Sequence, residues 1–408
     1  MKCRHCQSEL TTTFVDLGSA PPSNAYLTAV QLKAPEKWFP LKVMVCEHCW
    51  LVQTEDYAGA EELFDAEYAY FSSFSTSWLK HAEAYIHEMV TKFQLGSSSH
   101  VVEVASNDGY LLQYVKAAGI PCLGIEPTKS TAQAARKKGI EVVENFFGVA
   151  LADQLVAAGK QADLTAANNV LAHVPDINDF VSGFARLLKP QGVATFEFPH
   201  LMQLVQNAQF DTIYHEHFSY LSLTAVCTIF EANGLQVFDV QEIPTHGGSL
   251  RVFAQRKDAG KHAVGPKVTA LLAREQSVGI TQRAYYEGFQ TRTDKIKNDL
   301  LDFLIQARRA GKTIMAYGAA AKGNTLLNYA GVRPDLLPQV VDRNPAKQNK
   351  YLPGTRIPIV SEDAIKVARP DYILILPWNL REEVQAQLSC AREWGAKFVT
   401  AVPKLEIV

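Results

Sequence analysis

Three groups of side chains in this chain could do chemistry. The densest is Tyr214-His215-Glu216-His217, set between aromatic residues in the run FDTIYHEHF. Imidazole is the side chain whose charge changes near neutral pH, so acid/base work is one reading of this cluster. A metal site and a structural cluster remain alternatives. The metal reading is weakened by spacing, because a strand would put Glu216 opposite both histidines and a helix would put no two of the three on one face. The second group is the acidic turn in VVEVASNDGYLL, Val101 to Leu112, with Glu103, Ser106, Asn107, Asp108 and Gly109. The third is two Cys-x-x-Cys pairs, Cys3/Cys6 and Cys46/Cys49.

The elements around these groups narrow their use. Val101 to Ala105 reads as a buried strand, and a helix is expected from Tyr110 to about Ala118. The next strand, Pro121 to Ile125, ends on Glu126. A glycine turn after a first strand and an acid after the second is how a doubly wound sheet holds an adenosine, with the acid on the ribose hydroxyls. A dinucleotide would need GxGxxG to seat its pyrophosphate. Here one glycine is present, and Glu103 and Asp108 would repel phosphate. An acidic loop suits a ligand with an ammonium and a sulfonium, namely S-adenosylmethionine. Further strands are expected at 141–143, 163–167, 191–197 and 250–255, which gives a parallel sheet with an antiparallel edge. The fourth ends at Asn168-Asn169, followed by His173. Ligands lie at the carboxyl ends of such strands, so these are candidates too. His246, in the glycine turn before the last strand, can approach the same cleft.

Composition sets the bounds. The chain has 408 residues, 47% hydrophobic and 20% charged, with a net charge of −2. This describes a globular protein of two or three domains, with no basic excess for nucleic acid and no apolar run for a membrane. No signal peptide is recognised, so a cytoplasmic enzyme is the default. In that compartment four paired cysteines point to tetrahedral zinc, with redox dithiols or free thiols as the alternatives. His5 and His48 could each replace a thiolate. A closed four-ligand site would be structural. The first unit is expected over 1–65, a second over 66–255 and a third over 256–408. The aromatic run Tyr68 to Ser75 reads as a lid or as packing for the linker, and the helix Ser77 to Phe93 as amphipathic. The third unit repeats strand, glycine turn and helix at Thr313 to Thr325, with Lys322 and Arg343 either able to take phosphate charge or simply solvated. It reads as a second Rossmann-like half.

Together the two cysteine pairs, VEVASNDGYLL, AHVP, YHEHFSYLS, HGGSLRV and YGAAAKGNTLLNY resemble the nucleotide-sugar C-methyltransferases over essentially the whole chain and in the same order. The resemblance implies an α/β protein of three parts: a zinc-binding module, a central Rossmann-like S-adenosylmethionine domain and a C-terminal Rossmann-like domain for the nucleotide sugar. It implies methyl transfer to C3 of a 4-keto-6-deoxyhexose on dTDP or GDP, through an enolate. By motif the base falls on His217, with Glu216 and Tyr214 beside it and His173 across the cleft. A linker tyrosine, Tyr68 or Tyr70, belongs there too. Cofactor contacts are expected from Glu103, Ser106, Asn107, Asp108, Gly109, Glu126, Asn168 and Asn169. Substrate contacts are expected from Lys322, Asn324, Thr325, Arg343, Asn344, Trp378, Asn379 and His246, and metal ligation from the four cysteines. The rival is an O- or N-methyltransferase of another small molecule. A monomer or weak homodimer is expected, with the sugar nucleotide as its small-molecule partner.

Overall fold

The computed structural model describes residues 1–55 and 71–408. Among the described residues the strands form three sheets. The largest has the order Leu235–Ile243, Ser249–Arg256, Leu188–Pro199, Ala162–Asn168, Val101–Val104, Cys122–Ile125 and Glu141–Val143. Ser249–Arg256 runs antiparallel to both neighbours and the other pairs are parallel. The central strands are buried on both faces, which is why Val101–Val104 and Ala162–Asn168 read as nearly continuous apolar runs.

Two expectations need correction. The antiparallel strand is one in from the edge, because Leu235–Ile243 pairs outside it. That strand is hard to see in the sequence: a register shift between Val237 and Asp239 breaks its alternation. The helix after the first strand begins at Leu112 instead of Tyr110. The turn is longer because Ala105, Asn107 and Gly109 all take positive φ, at 58°, 48° and 75°. Only glycine does so without strain, and a Cβ on Gly109 would also lie 2.4 Å from Ile140 Cδ1.

The C-terminal sheet has the order Ile359–Val360, Val340–Val341, Ile314–Tyr317, Tyr372–Ile375, Lys397–Thr400 and Glu406–Ile407, with only the last strand antiparallel. Helices Pro266–Val278 and Phe289–Arg309 connect it to the middle sheet. No helix among the described residues is long and apolar enough to cross a membrane.

The N-terminal unit is an antiparallel sheet of Thr12–Ala20, Phe39–Val45 and Val52–Thr54, and its fourth strand is Ser219–Tyr220 from the middle of the chain. Its two cysteine turns repeat each other. Gln7 N donates to Cys3 O and Trp50 N to Cys46 O, while Cys3 N donates to Ser8 O and Cys46 N to Leu51 O. Gln7 and Trp50 both have φ of 62°. The repeat turns all four sulfurs inward, within 4.8 Å of one another, and the Cys3–Cys49 and Cys6–Cys46 pairs are 3.5 Å apart. Four thiolates around tetrahedral zinc, each about 2.3 Å from the ion, would be about 3.8 Å apart, so the residues fit the ion. His5 and His48 do not replace a ligand; His5 Nδ1 instead meets Asn178 Oδ1 at 2.7 Å.

One zinc per chain is therefore expected by elemental analysis. Cys46→Ser should lose it and lower the thermal midpoint, each kcal/mol of lost stability shifting it by roughly 2–4 °C in domains of 150–250 residues. Full zinc content in that variant would contradict the assignment.

Candidate functional site

The acidic turn forms one wall. Glu126 accepts from the backbone N–H of Asn107 and of Thr128, each at 2.9 Å, so the acid after the second strand clamps the turn after the first. Gly124 is required beneath it, since a Cβ there would lie 2.5 Å from Ser106 Oγ. Ser72 N donates to Asn107 Oδ1 at 2.9 Å and Lys138 Nζ donates to Ser73 Oγ at 2.8 Å, so the linker end docks on this turn. Ser106 Oγ, Asp108 Oδ1 and Asn169 Oδ1 are buried without partners, as expected of a cradle for a polar ligand. The charge of the turn differs from the sequence reading. Glu103 is fully buried, and desolvation pushes its carboxyl well above the usual range, with Glu126 and Asp108 adding to the rise. Asp108 has Lys138 Nζ at 3.5 Å. Both Glu103 carboxyl oxygens are also buried without partners. Asn168, at the end of its strand, is nearly buried, and its neighbour Asn169 has φ of 53° and donates its N–H to Glu197 O.

The histidine cluster forms the second wall. His217 Nδ1 lies 2.8 Å from the carbonyl of Thr212. A carbonyl only accepts, so Nδ1 carries the proton and Nε2 keeps its lone pair. The ring lies 3.9 Å from that of Tyr214 and meets His173 edge-on at 4.6 Å, centroid to centroid. Desolvation holds His217 well below the ordinary imidazole range, with His173 as the next cause; burial likewise lowers His173 to about 4. The nearby carbonyl of Glu216 opposes that lowering of His173. Glu216 Oε1 accepts from Asn24 Nδ2 at 2.8 Å, a contact from the N-terminal unit. His215 points the other way, its Nε2 3.2 Å from the carbonyls of Phe39 and Pro40. Among the described residues the four cysteines are the one grouping of three or more metal-ligating side chains, so the His-Glu-His run is not a metal site.

The C-terminal unit closes the cleft. Lys322 Nζ donates to Asn379 Oδ1 at 3.2 Å and lies 4.7 Å over the Trp378 ring. Trp378 Nε1 donates to Asp211 Oδ2 at 2.7 Å. Burial raises Asp211 to about 6 and lowers Lys322, each opposed by the other's charge. His246 has φ of 55°, its Nε2 is 3.3 Å from Asn169 Nδ2, and burial and then Lys322 lower it to about 4. The turn after it is pinned, since a Cβ on Gly247 would meet Trp378 at 2.4 Å.

Lys322, Trp378, Asn379 and His246 are thus gathered with the histidine cluster, but other expected contacts are not. Asn324 and Thr325 have 0% and 2% exposure and dock other segments: Asn324 Nδ2 donates to Ser23 O and Thr325 Oγ1 to Ile213 O. Arg343 is exposed and pairs with Glu362 and Gln387, while Asn344 Oδ1 caps its own turn at Ala346. Tyr68 and Tyr70 lie outside the described residues. Sequence reasoning missed Asn24 and Asp211. Asp211 stands in the run FDTIYHEHF and Asn24 in the sequence Pro21-Pro22-Ser23-Asn24, but only the fold brings either to the cleft.

Comparison with known proteins agrees with this geometry. Family models match as a zinc binding domain over residues 3–64, a methyltransferase domain over 78–240 and a C-methyltransferase C-terminal domain over 244–403. C-methyltransferase NovU of Streptomyces niveus is 34% identical over 407 residues, covering 100% of this chain and 96% of its own. Among solved structures, magnesium protoporphyrin IX methyltransferase of Synechocystis with bound S-adenosylmethionine covers 44% of this chain and 79% of its own, at 15% identity and a TM-score of 0.34. An S-adenosylmethionine-dependent methyltransferase of Clostridium acetobutylicum covers 45% and 92%, at 12% identity and a TM-score of 0.36. With a zinc-binding module, a methyltransferase core and a matched C-terminal unit in one chain, this protein belongs to the C-methyltransferase family and uses S-adenosylmethionine.

Proposed function

We propose that the chain methylates C3 of a 4-keto-6-deoxyhexose linked to dTDP or GDP, with His217 as the base. The observation that carries this reading is the Nδ1–H to Thr212 bond, which aims a lone pair from a dry, neutral imidazole into the cleft. A carbon beside a ketone is acidic because the carbanion spreads onto the ketone oxygen. His217 Nε2 takes the C3 proton and becomes imidazolium, held by the Thr212 carbonyl. The negative charge moves to O4, where the Tyr214 hydroxyl and the Lys322 ammonium are the donors on hand; one such preorganised donor is typically worth about 2.7–4 kcal/mol. His173, kept neutral by burial, packs edge-on against the His217 ring and is a further donor to O4 in this reading.

S-adenosylmethionine, when bound, supplies a methyl on a sulfonium, so carbon attack needs no metal or oxidant. Its holders are Ser106, Asp108 and Asn169 through their unpartnered atoms, the backbone at Asn107 and Gly109, and Glu126 at the ribose. Trp378, Asn379 and His246 are assigned to the sugar nucleotide. A cytoplasmic setting and a monomer or weak dimer complete the proposal.

Three outcomes follow. His217→Ala and His217→Asn should keep S-adenosylmethionine affinity and lose about 10²–10⁴-fold in turnover. With S-adenosylhomocysteine bound, NMR should show deuterium entering C3 of the keto sugar in the native protein and not in those variants; turnover near the native rate would refute the base. Because burial lowers the His217 pKa, the base stays unprotonated below the ordinary imidazole value, so kcat/KM should remain flat on acidification past about pH 6.5. A fall already complete at that pH would exclude His217. Glu126→Gln should weaken S-adenosylmethionine binding about tenfold or more by calorimetry, because a charged acceptor of two N–H groups is lost; unchanged affinity would remove Glu126 from the site.

A further inference from the structure

The short turn Phe210–Thr212, just before the histidine cluster, serves two units at once. Thr212 offers its carbonyl to the base, 2.8 Å from His217 Nδ1, and Asp211 offers its carboxylate to the C-terminal unit, where Oδ2 accepts from Trp378 Nε1 at 2.7 Å. Asp211 is fully buried, and its other oxygen, Oδ1, has no partner. The turn is anchored on both sides. Thr325 Oγ1, on helix Ala321–Ala330, donates to Ile213 O at 2.8 Å, and Gln209 Nε2 donates to Gly247 O at 2.8 Å. Gly247 closes on the indole in turn: its φ is 89° and a Cβ would lie 2.4 Å from Trp378 Cη2. The ring is thus held at its N–H by the acid and at its far edge by the glycine turn. Lys322 Nζ sits 4.7 Å over this ring. It donates one of its three hydrogens to Asn379 Oδ1 at 3.2 Å, leaving two without partners among the described residues.

We propose that Asp211 is a positioning residue for methyl transfer: by accepting the Trp378 N–H it fixes the ring on which the Lys322 ammonium rests, and so fixes where that cation meets the sugar ketone. The inference rests on the reading above, in which Lys322 is a donor to O4. A lysine stem has many rotamers, and a fixed aromatic face together with Asn379 selects among them. A carboxylate does more here than a neutral acceptor would. An indole N–H given to an anion is more strongly polarised, and the ring face then holds a cation better. The charge of Asp211 also favours the ammonium form of Lys322. The other titratable groups facing that ammonium are His217 and His246, both kept neutral by burial. The remaining elements against this helix, Phe289–Arg309 and Thr12–Ala20, bring Asp294, Lys297 and Asp16 to Tyr329, at its opposite end. Because residues 211 and 212 are adjacent, one turn sets both the proton acceptor and the oxyanion donor, which keeps their spacing across the sugar.

The test uses the full-length zinc-loaded protein and a dTDP-linked 4-keto-6-deoxyhexose. Asp211→Ala should lower kcat about 10- to 100-fold, the range for a lost hydrogen bond to a charged group, with zinc content and S-adenosylmethionine affinity unchanged. Asp211→Asn keeps the shape and an acceptor for the indole but loses the charge. Its kcat should fall less, and the alkaline limb of its kcat/KM profile, where the ammonium loses its proton, should move to lower pH. In a Lys322→Met background Asp211→Asn should cost little more, because the group it acts through is gone. Native kcat in Asp211→Ala, an unmoved alkaline limb in Asp211→Asn, the same fold-loss in both backgrounds, or loss of zinc or cofactor affinity in step with the rate would overturn the inference. Lys322→Met alone separates the two claims. If it turns over at the native rate, the donor assignment falls and this inference with it; if it is impaired while both Asp211 variants are normal, only the role of Asp211 falls.

Discussion

The backbone of the histidine cluster is held from behind by the zinc unit, and the geometry of the cleft depends on that hold. Strand Val52–Thr54 pairs with Ser219–Tyr220, which begins two residues after His217. Thr54 N donates to Phe218 O at 3.1 Å and Thr54 Oγ1 to His217 O at 3.2 Å, while Phe218 N donates to Ala172 O at 2.8 Å. Arg4, one residue after the first zinc ligand, donates to Thr54 O and Pro175 O, and its own N–H reaches Gln53 Oε1. Gln53 Nε2 in turn contacts Cys3 Sγ at 3.2 Å. A short, isolated strand of three residues would not be stable in water. Zinc on the four cysteines would stabilise it, and the strand carries that rigidity to the peptide bearing His217.

Burial shapes the chemistry of the cleft. It lowers His217, His173, His246 and Lys322, and raises Asp211. All five shifts favour neutral forms, as desolvation must. A neutral imidazole is the form that can accept a proton, and an ammonium short of solvent interacts more strongly with an oxyanion than one in water. Lys322 and Asp211 each oppose the other's shift, so each favours the charged form of its neighbour.

In the C-terminal half the acid after the second strand ties down the turn after the first. Asp342, after the second strand, accepts from Ala319 N and Asn344 N at 2.8 Å each, and Lys347 Nζ donates to Ala319 O at 2.8 Å. The acid and a cation are thus occupied in tying the turn to itself. Lys322 and Trp378 reach away from that turn toward the middle unit, which is where this half contributes to the cleft.

Much was legible in the sequence because it is local. The strand-turn-helix at Val101 to Leu112 and the paired cysteines follow from period, glycine placement and spacing, which act over a few residues, whereas the opposite orientation of His215 and His217 does not. The tertiary structure decided which side chains meet. Arg343 and Lys322 are both cations after a strand, yet one is paired on the surface and the other is buried over Trp378. Asn324 and Asn24 are both amides, one in a helix and one in a turn, yet the first docks the Ser23 segment and the second meets Glu216. Local patterns report a residue's backbone and its face. Its partner comes from segments hundreds of positions away, joined by packing and hydrogen bonds whose cost in chain entropy only the whole fold can offset.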